Sequence, residues 1–226
     1  MFYDRKEAAL LLAKALEKYR NMDVVVLGIP RGGAVMGYYV ALHLHAEFSL
    51  LVAKKLGHPR NPEYAIGAIA EDGTVYLKPA VHSEVSPEQI DTVIAAQKKE
   101  MQRRIHALRN DLSVPEIKNR VVILVDDGIA TGATMMAAIH MCKNKNAAKI
   151  VVAAPVADME QVTLFQNEAD EIIILNTPEP FYAVSQAYHS FPQVEDEEVV
   201  ALLGNWKLLA KPSRNPLASQ QVIDEP

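Results

Sequence analysis

The feature that most constrains the fold is a set of short runs with no polar residue in them: 24–27, 121–125, 150–154 and 172–175, all Val, Ile, Leu or Ala. A strand open to water on one face alternates apolar with polar residues, so unbroken aliphatic runs belong to strands covered on both faces. Residues 48–53 read as one more strand. Helical signals separate the runs. Asp4-Arg5-Lys6-Glu7 has the spacing of a capping box and leads into a helix over 8–19, with Leu12 and Leu16 on one apolar face. Further helices are expected over 35–44, 134–145 and near 158–167. The order predicts an α/β fold, a mainly parallel sheet with helices on both faces.

Two stretches depart from this alternation. Within 65–77, two β-like runs flank Glu71-Asp72-Gly73-Thr74, and an Asp-Gly pair between such runs marks a hairpin. Ser86-Pro87-Glu88 then opens a long helix reaching 109 or 110, since Ser caps well and Pro suits a first turn. After Thr177 the register breaks up around Phe181, Tyr182, Tyr188 and Phe191, followed by a short helix over 196–203. With 226 residues, half of them hydrophobic, the chain can bury one sizeable core. The expected organisation is a core over 1–177 with a hairpin and long-helix insertion near 55–115, and a cap over 178–206 joined by the N-terminal helix. A loosely ordered tail over 207–226 is expected to follow.

The run 121–125 delivers its chain into Asp126-Asp127-Gly128-Ile129-Ala130-Thr131-Gly132-Ala133-Thr134. Small residues at the head of a helix let backbone N–H groups close around an anion, and the Thr131 and Thr134 hydroxyls add donors. Asp126 and Asp127 stand where vicinal hydroxyls can donate to them. A simpler role, capping the next helix, does not need two carboxylates and two hydroxyls at set spacing. The chain lacks the Gly-Lys-Ser/Thr of a P-loop, and Gly128 and Gly132 do not make the dinucleotide-binding spacing.

A second loop, Gly28-Ile29-Pro30-Arg31-Gly32-Gly33, also lies between a strand and a helix, with two glycines for close approach and Arg31 as a planar donor. Lys54 and Lys55 end the 48–53 strand, and Arg60 lies in the loop after it. Lys98, Lys99, Arg103 and Arg104, interspersed with Glu100 and Gln102, read as a solvated helical face. The net charge of −5 gives no global attraction for nucleic acid or an anionic membrane. A single cysteine, Cys142, cannot form an intramolecular disulfide, and no apolar run approaches a membrane span. The expected setting is cytoplasmic, without a protein-ligated transition metal.

The 122–134 segment resembles the 5-phosphoribosyl-1-pyrophosphate (PRPP) signature of the type I phosphoribosyltransferases: four hydrophobic positions, two acidic, two free, one small, then Thr-Gly-x-Thr. The stretch 54–72 is similar to that of family members with no assigned substrate. The resemblance implies transfer of a phosphoribosyl group from PRPP to a nitrogen base with release of pyrophosphate. Asp126 and Asp127 would hold the ribose, and Ala130, Thr131, Gly132, Ala133 and Thr134 the 5-phosphate. Pro30, Arg31, Gly32 and Gly33 would hold the diphosphate, with Lys54, Lys55 and Arg60 as further candidates. Mg²⁺ would arrive on PRPP, and a homodimer is expected. The base would sit under the cap, where the aromatics of 181–191 are more readily packing than stacking groups. The alternative is a PRPP- or nucleotide-sensing module without turnover.

Overall fold

The computed structural model describes residues 1–210. In chain order the elements are α1 (Arg5–Ala15), β1 (Val24–Gly28), α2 (Gly32–Leu44), β2 (Glu47–Leu50), β3 (Ala53–His58), β4 (Asn61–Ala70), β5 (Val75–Leu77), α3 (Val81–Glu84), α4 (Pro87–Arg109), β6 (Val121–Val125), α5 (Ala133–Asn144), β7 (Lys149–Val156), α6 (Met159–Phe165), β8 (Glu171–Asn176) and α7 (Asp196–Ala210).

Five strands, four of them built on the aliphatic runs, form one parallel sheet in the order β2-β1-β6-β7-β8. Side chains of one parity, among them Val26, Ile123 and Val151, pack with Leu12, Met36 and Leu44 of α1 and α2. The other parity, with Leu27, Leu124 and Val152, packs against Met135, Ile139 and Phe165 of α5 and α6. Each such fully buried aliphatic contributes about 1.5–3 kcal/mol, which is why the middles of β1, β6 and β7 carry no polar residue. β3, β4 and β5 form a separate antiparallel sheet, built around the expected Asp72-Gly73 turn. Ala68 and Ala70 of that sheet join the α5 side, while Leu56, Ile66 and Ile69 pack with Ile90 and Met101 of α4.

The expected strand over 48–53 is two strands. The Leu51 N–H still donates to Gly28 O (3.1 Å), but the Val52 N–H donates to Glu71 Oε2 (2.8 Å) and Ala53 pairs with Ala70. The run Leu50-Leu51-Val52-Ala53 stays buried through the change of sheet, so its apolar pattern carries no mark of the break. Lys54 and Lys55 therefore lie within β3 and not at the end of a core strand. The helix expected over 196–203 continues to Ala210, because Trp206, beyond Gly204, packs edge-on to Phe48 and Tyr38 at 5.8 and 6.3 Å. Residues 207–210 of the expected tail are thus helical, and 211–226 lie outside the described residues.

Candidate active site

β1 and β6 are neighbours, with Gly28 opposite Val125, and the sheet grows outward from them in both directions. Ligands of such sheets bind beyond the strand carboxyl ends at this reversal of order. Both sequence-predicted loops leave from here, side by side. The Ile29 N–H donates to Val125 O (2.9 Å), and a Cβ on Gly33 would stand 2.6 Å from that same oxygen. A Cβ on Gly32 would run into the Asp127 carboxylate. Only glycine at 32 and 33 lets the two loops touch, and the Pro30–Arg31 peptide between them and β1 is cis.

The helices that follow these loops begin without side-chain caps. Asp4, Ser86 and Asp158 cap α1, α4 and α6, whereas no side chain caps α2 or α5. Orphan N–H groups and the positive end of the helix dipole are therefore left for an anion at each loop. Gly132 turns into α5 at φ +64°, a conformation that favours glycine, and a Cβ there would stand 2.5 Å from Gln161 Oε1. Ala130 and Thr131 are exposed at the rim and Thr134 is half-buried.

The two acids differ. The Asp127 N–H donates to Asp126 Oδ1 (2.8 Å), and burial together with the neighbouring Asp127 carboxylate pushes the Asp126 carboxyl well above the usual range. Asp127 is fixed from three sides. Arg5 Nε donates to Asp127 Oδ2 (2.7 Å), Tyr188 donates its hydroxyl to Asp127 O (2.6 Å), and Gly32 lies against the carboxylate.

In the loop after β1, Arg31 Nη1 lies 3.1 Å from Glu195 Oε2. Behind Pro30 opens a cavity of 540 Å³ whose wall includes Lys54, Lys55, His58, Gln97 and Arg104, with no Asp or Glu among its lining residues. Burial, and then the nearby Arg104, lower the pKa of the Lys54 ammonium. Lys55 is exposed and donates to Glu63 O (3.1 Å). Arg60 lies in the exposed turn between β3 and β4 and does not line the cavity. The structure thus brings together 30–33, 126–134, Lys54 and Lys55, and leaves Arg60 apart.

Residues 3–186 match the family model of the phosphoribosyl transferase domain. The chain belongs to that family. A Mycobacterium tuberculosis protein named provisionally as a phosphoribosyl transferase is 41% identical over 205 residues, a match covering 90% of this chain and 46% of the relative. The chain thus spans about half the length of the curated relatives it matches. The solved structure of TT1426 from Thermus thermophilus superposes with a TM-score of 0.79 at 38% identity, covering 91% of this chain and 98% of that one.

In this phosphoribosyl transferase domain two residues beyond the sequence candidates reach the crevice. Arg5, only 9% exposed, joins α1 to the site: besides Asp127 it donates through Nη1 to Pro192 O (2.6 Å), and its guanidinium lies 3.7 Å from the Phe191 ring centroid. Its signal was its position, three and four residues before the fully buried Ala8 and Ala9 on the stripe that continues to Leu12. Arg104 corrects the reading of a solvated face. Its side chain is 21% exposed against 75% for Arg103, because it follows buried Met101 by three and precedes buried Leu108 by four.

Of the four cap aromatics, Tyr188 packs on Phe2 and Phe191 at 5.6 and 4.8 Å, as expected of packing groups. Tyr182 is 82% exposed. No helix among the described residues is long and apolar enough to cross a membrane, and no group of three or more His, Cys, Asp or Glu there is arranged to hold a metal ion.

Proposed function

We propose that the chain transfers the 5-phosphoribosyl group of PRPP to a nitrogen base, releasing diphosphate. The observation that carries this reading is the contact between the two loops. With Gly32 against the Asp127 carboxylate and Gly33 on Val125 O, a ligand whose ribose lies on Asp126 and Asp127 meets 30–33 with its C1 substituent. The backbone of 130–134 and the Thr131 and Thr134 hydroxyls take the 5-phosphate at the uncapped head of α5. Arg31, Gly32, Gly33 and the head of α2 take the diphosphate, with Lys54 and Lys55 behind them.

The bond from C1 to the diphosphate oxygen breaks and a bond to the base nitrogen forms on the opposite face. Positive charge developing on the ribose faces the Asp126–Asp127 pair and favours its ionised form, while cations stabilise the departing diphosphate. Arg5 and Tyr188 hold Asp127 in one orientation, so little reorganisation accompanies that charge. The donor set fits Mg²⁺ carried on the substrate: two adjacent carboxylates, one engaged by Arg5, offer too few oxygens for a protein cage. When bound there, Mg²⁺ neutralises diphosphate charge. A cytoplasmic homodimer is the assembly and setting this reading carries with it.

The test is release of diphosphate from MgPRPP across a panel of purine and pyrimidine bases. Release that depends on one base or a related group supports the transferase. Saturable PRPP binding with no release across the panel would replace it with a sensing module.

A further inference from the structure

The cavity behind Pro30 measures 540 Å³ and is rich in basic side chains. Lys54, Lys55, His58 and Arg104 all line it, with the amide of Gln97 beside them and no carboxylate in the wall. Burial and then the nearness of Arg104 lower the pKa of the Lys54 ammonium, and Glu100 and Asp196 only partly offset them. Such a set is stable when an anion joins it.

One anionic oxygen already does so from the rim. Asp196 Oδ1, in the first turn of α7, lies 3.3 Å from Arg104 Nη2 and 4.0 Å from Arg31 Nη1. Two guanidinium groups, one from the diphosphate loop and one from the long insertion helix, thus converge on a single oxygen. Glu195 stands beside it on Arg31. Both acids are about half exposed, at 45% and 58%, so the pairs are screened by water and exchange readily. A phosphate offers more charge and several oxygens to the same planar donors.

We propose that Arg104 binds the diphosphate of PRPP together with Arg31, and that Asp196 is the counter-ion which the diphosphate displaces. This rests on the transferase reading above. It assigns to α4, an insertion outside the core sheet, a direct share in leaving-group binding, and to the head of α7 the part of an internal competitor. The alternative role for the Arg104–Asp196 pair is a strut between α4 and α7.

Calorimetric titration with magnesium diphosphate, ribose 5-phosphate and PRPP separates the two. Arg104→Gln should weaken diphosphate and PRPP about tenfold while ribose 5-phosphate stays within about twofold, and Arg104→Lys should recover part of the loss. Asp196→Asn should tighten diphosphate about two- to threefold, as expected for removal of a weak exposed competitor. Thermal melts establish that each variant is folded. Unchanged diphosphate affinity in folded Arg104→Gln, alongside a clear loss in Arg31→Ala, overturns the proposal and leaves the transferase reading standing. Unchanged or weaker diphosphate binding in Asp196→Asn makes the pair a strut. If the wild-type protein binds neither diphosphate nor PRPP, both readings fall.

Discussion

Residues 126–134 leave one strand, enter one helix and carry the proposed contacts to the ribose and its 5-phosphate in a single unbroken segment. The proposed diphosphate side gathers 30–33 from another strand end, Lys54 and Lys55 from a strand of the smaller sheet, Arg104 from α4, and Glu195 with Asp196 from the head of α7. The first half takes its path from buried β6, with Arg5 and Tyr188 added only as supports for Asp127. The second depends on how the antiparallel sheet, α4 and α7 dock on the core. A site made of one segment keeps its shape as long as its strand is paired, whereas a site made of several is adjustable at each docking contact.

The largest separation of the two halves should come from Asp126→Asn with Asp127→Asn. Loss of both carboxylates is expected to weaken PRPP and ribose 5-phosphate on the order of a hundredfold, with diphosphate binding nearly unchanged. The double variant should also melt lower, because it leaves the 9%-exposed Arg5 without its counter-ion, at a cost of about 2–3 kcal/mol. Equal losses for ribose 5-phosphate and diphosphate would show that the halves are not separable. Next in size, Gly33→Val drives a side chain into Val125 O and Asp126, where the halves touch. It should cost about 2 kcal/mol or more and weaken all three ligands together. An unchanged melt and an effect confined to diphosphate would mean that the contact is not shared.

The smallest effect is a pH dependence that contrasts a site carboxylate with a scaffold one. Burial opposes ionisation of Glu171, but hydrogen bonds from Lys18, Tyr19 and Lys149 outweigh it and pull the carboxyl down to about 2. Its contribution is present above the ordinary glutamate range and lost as pH falls toward 2, and it should stay small, about 1 kcal/mol, because its partners Lys18 and Lys149 are at least partly exposed and screened by water. Asp126 has the opposite sign. Its raised pKa means the native state holds the proton more tightly than the unfolded chain, so its ionisation costs stability as pH climbs above the ordinary carboxylate range. Melting curves against pH should lose the acid-side slope in Glu171→Gln and the higher-pH slope in Asp126→Asn. Identical profiles in both variants would remove the distinction.

The same contrast decides what was legible in the chain. The aliphatic runs, the Asp72-Gly73 hairpin and the Ser86 cap each follow from neighbouring residues, and so does the order of acids, glycines and threonines in 126–134. The break between β2 and β3 was not legible, because Leu51 and Val52 are buried in either sheet and the deciding contact, Val52 to Glu71, comes from the turn after β4. Nor was the role of Arg5 or Arg104. Both were marked by helical spacing from buried neighbours, yet their charge suggested solvent, and their partners Asp127 and Asp196 lie far along the chain. Arg60, grouped with the diphosphate cations from its loop position, stands apart at a hairpin tip for the same reason in reverse.

The central claim is that the two touching loops hold the two ends of one ligand. The direct measurement is the calorimetric affinity of PRPP set beside those of ribose 5-phosphate and diphosphate, each with Mg²⁺. The account predicts that PRPP binds more tightly than either piece, and that the pieces do not compete strongly with one another. PRPP binding no tighter than ribose 5-phosphate would contradict it, since 30–33 and its cations would then contribute nothing to the ligand.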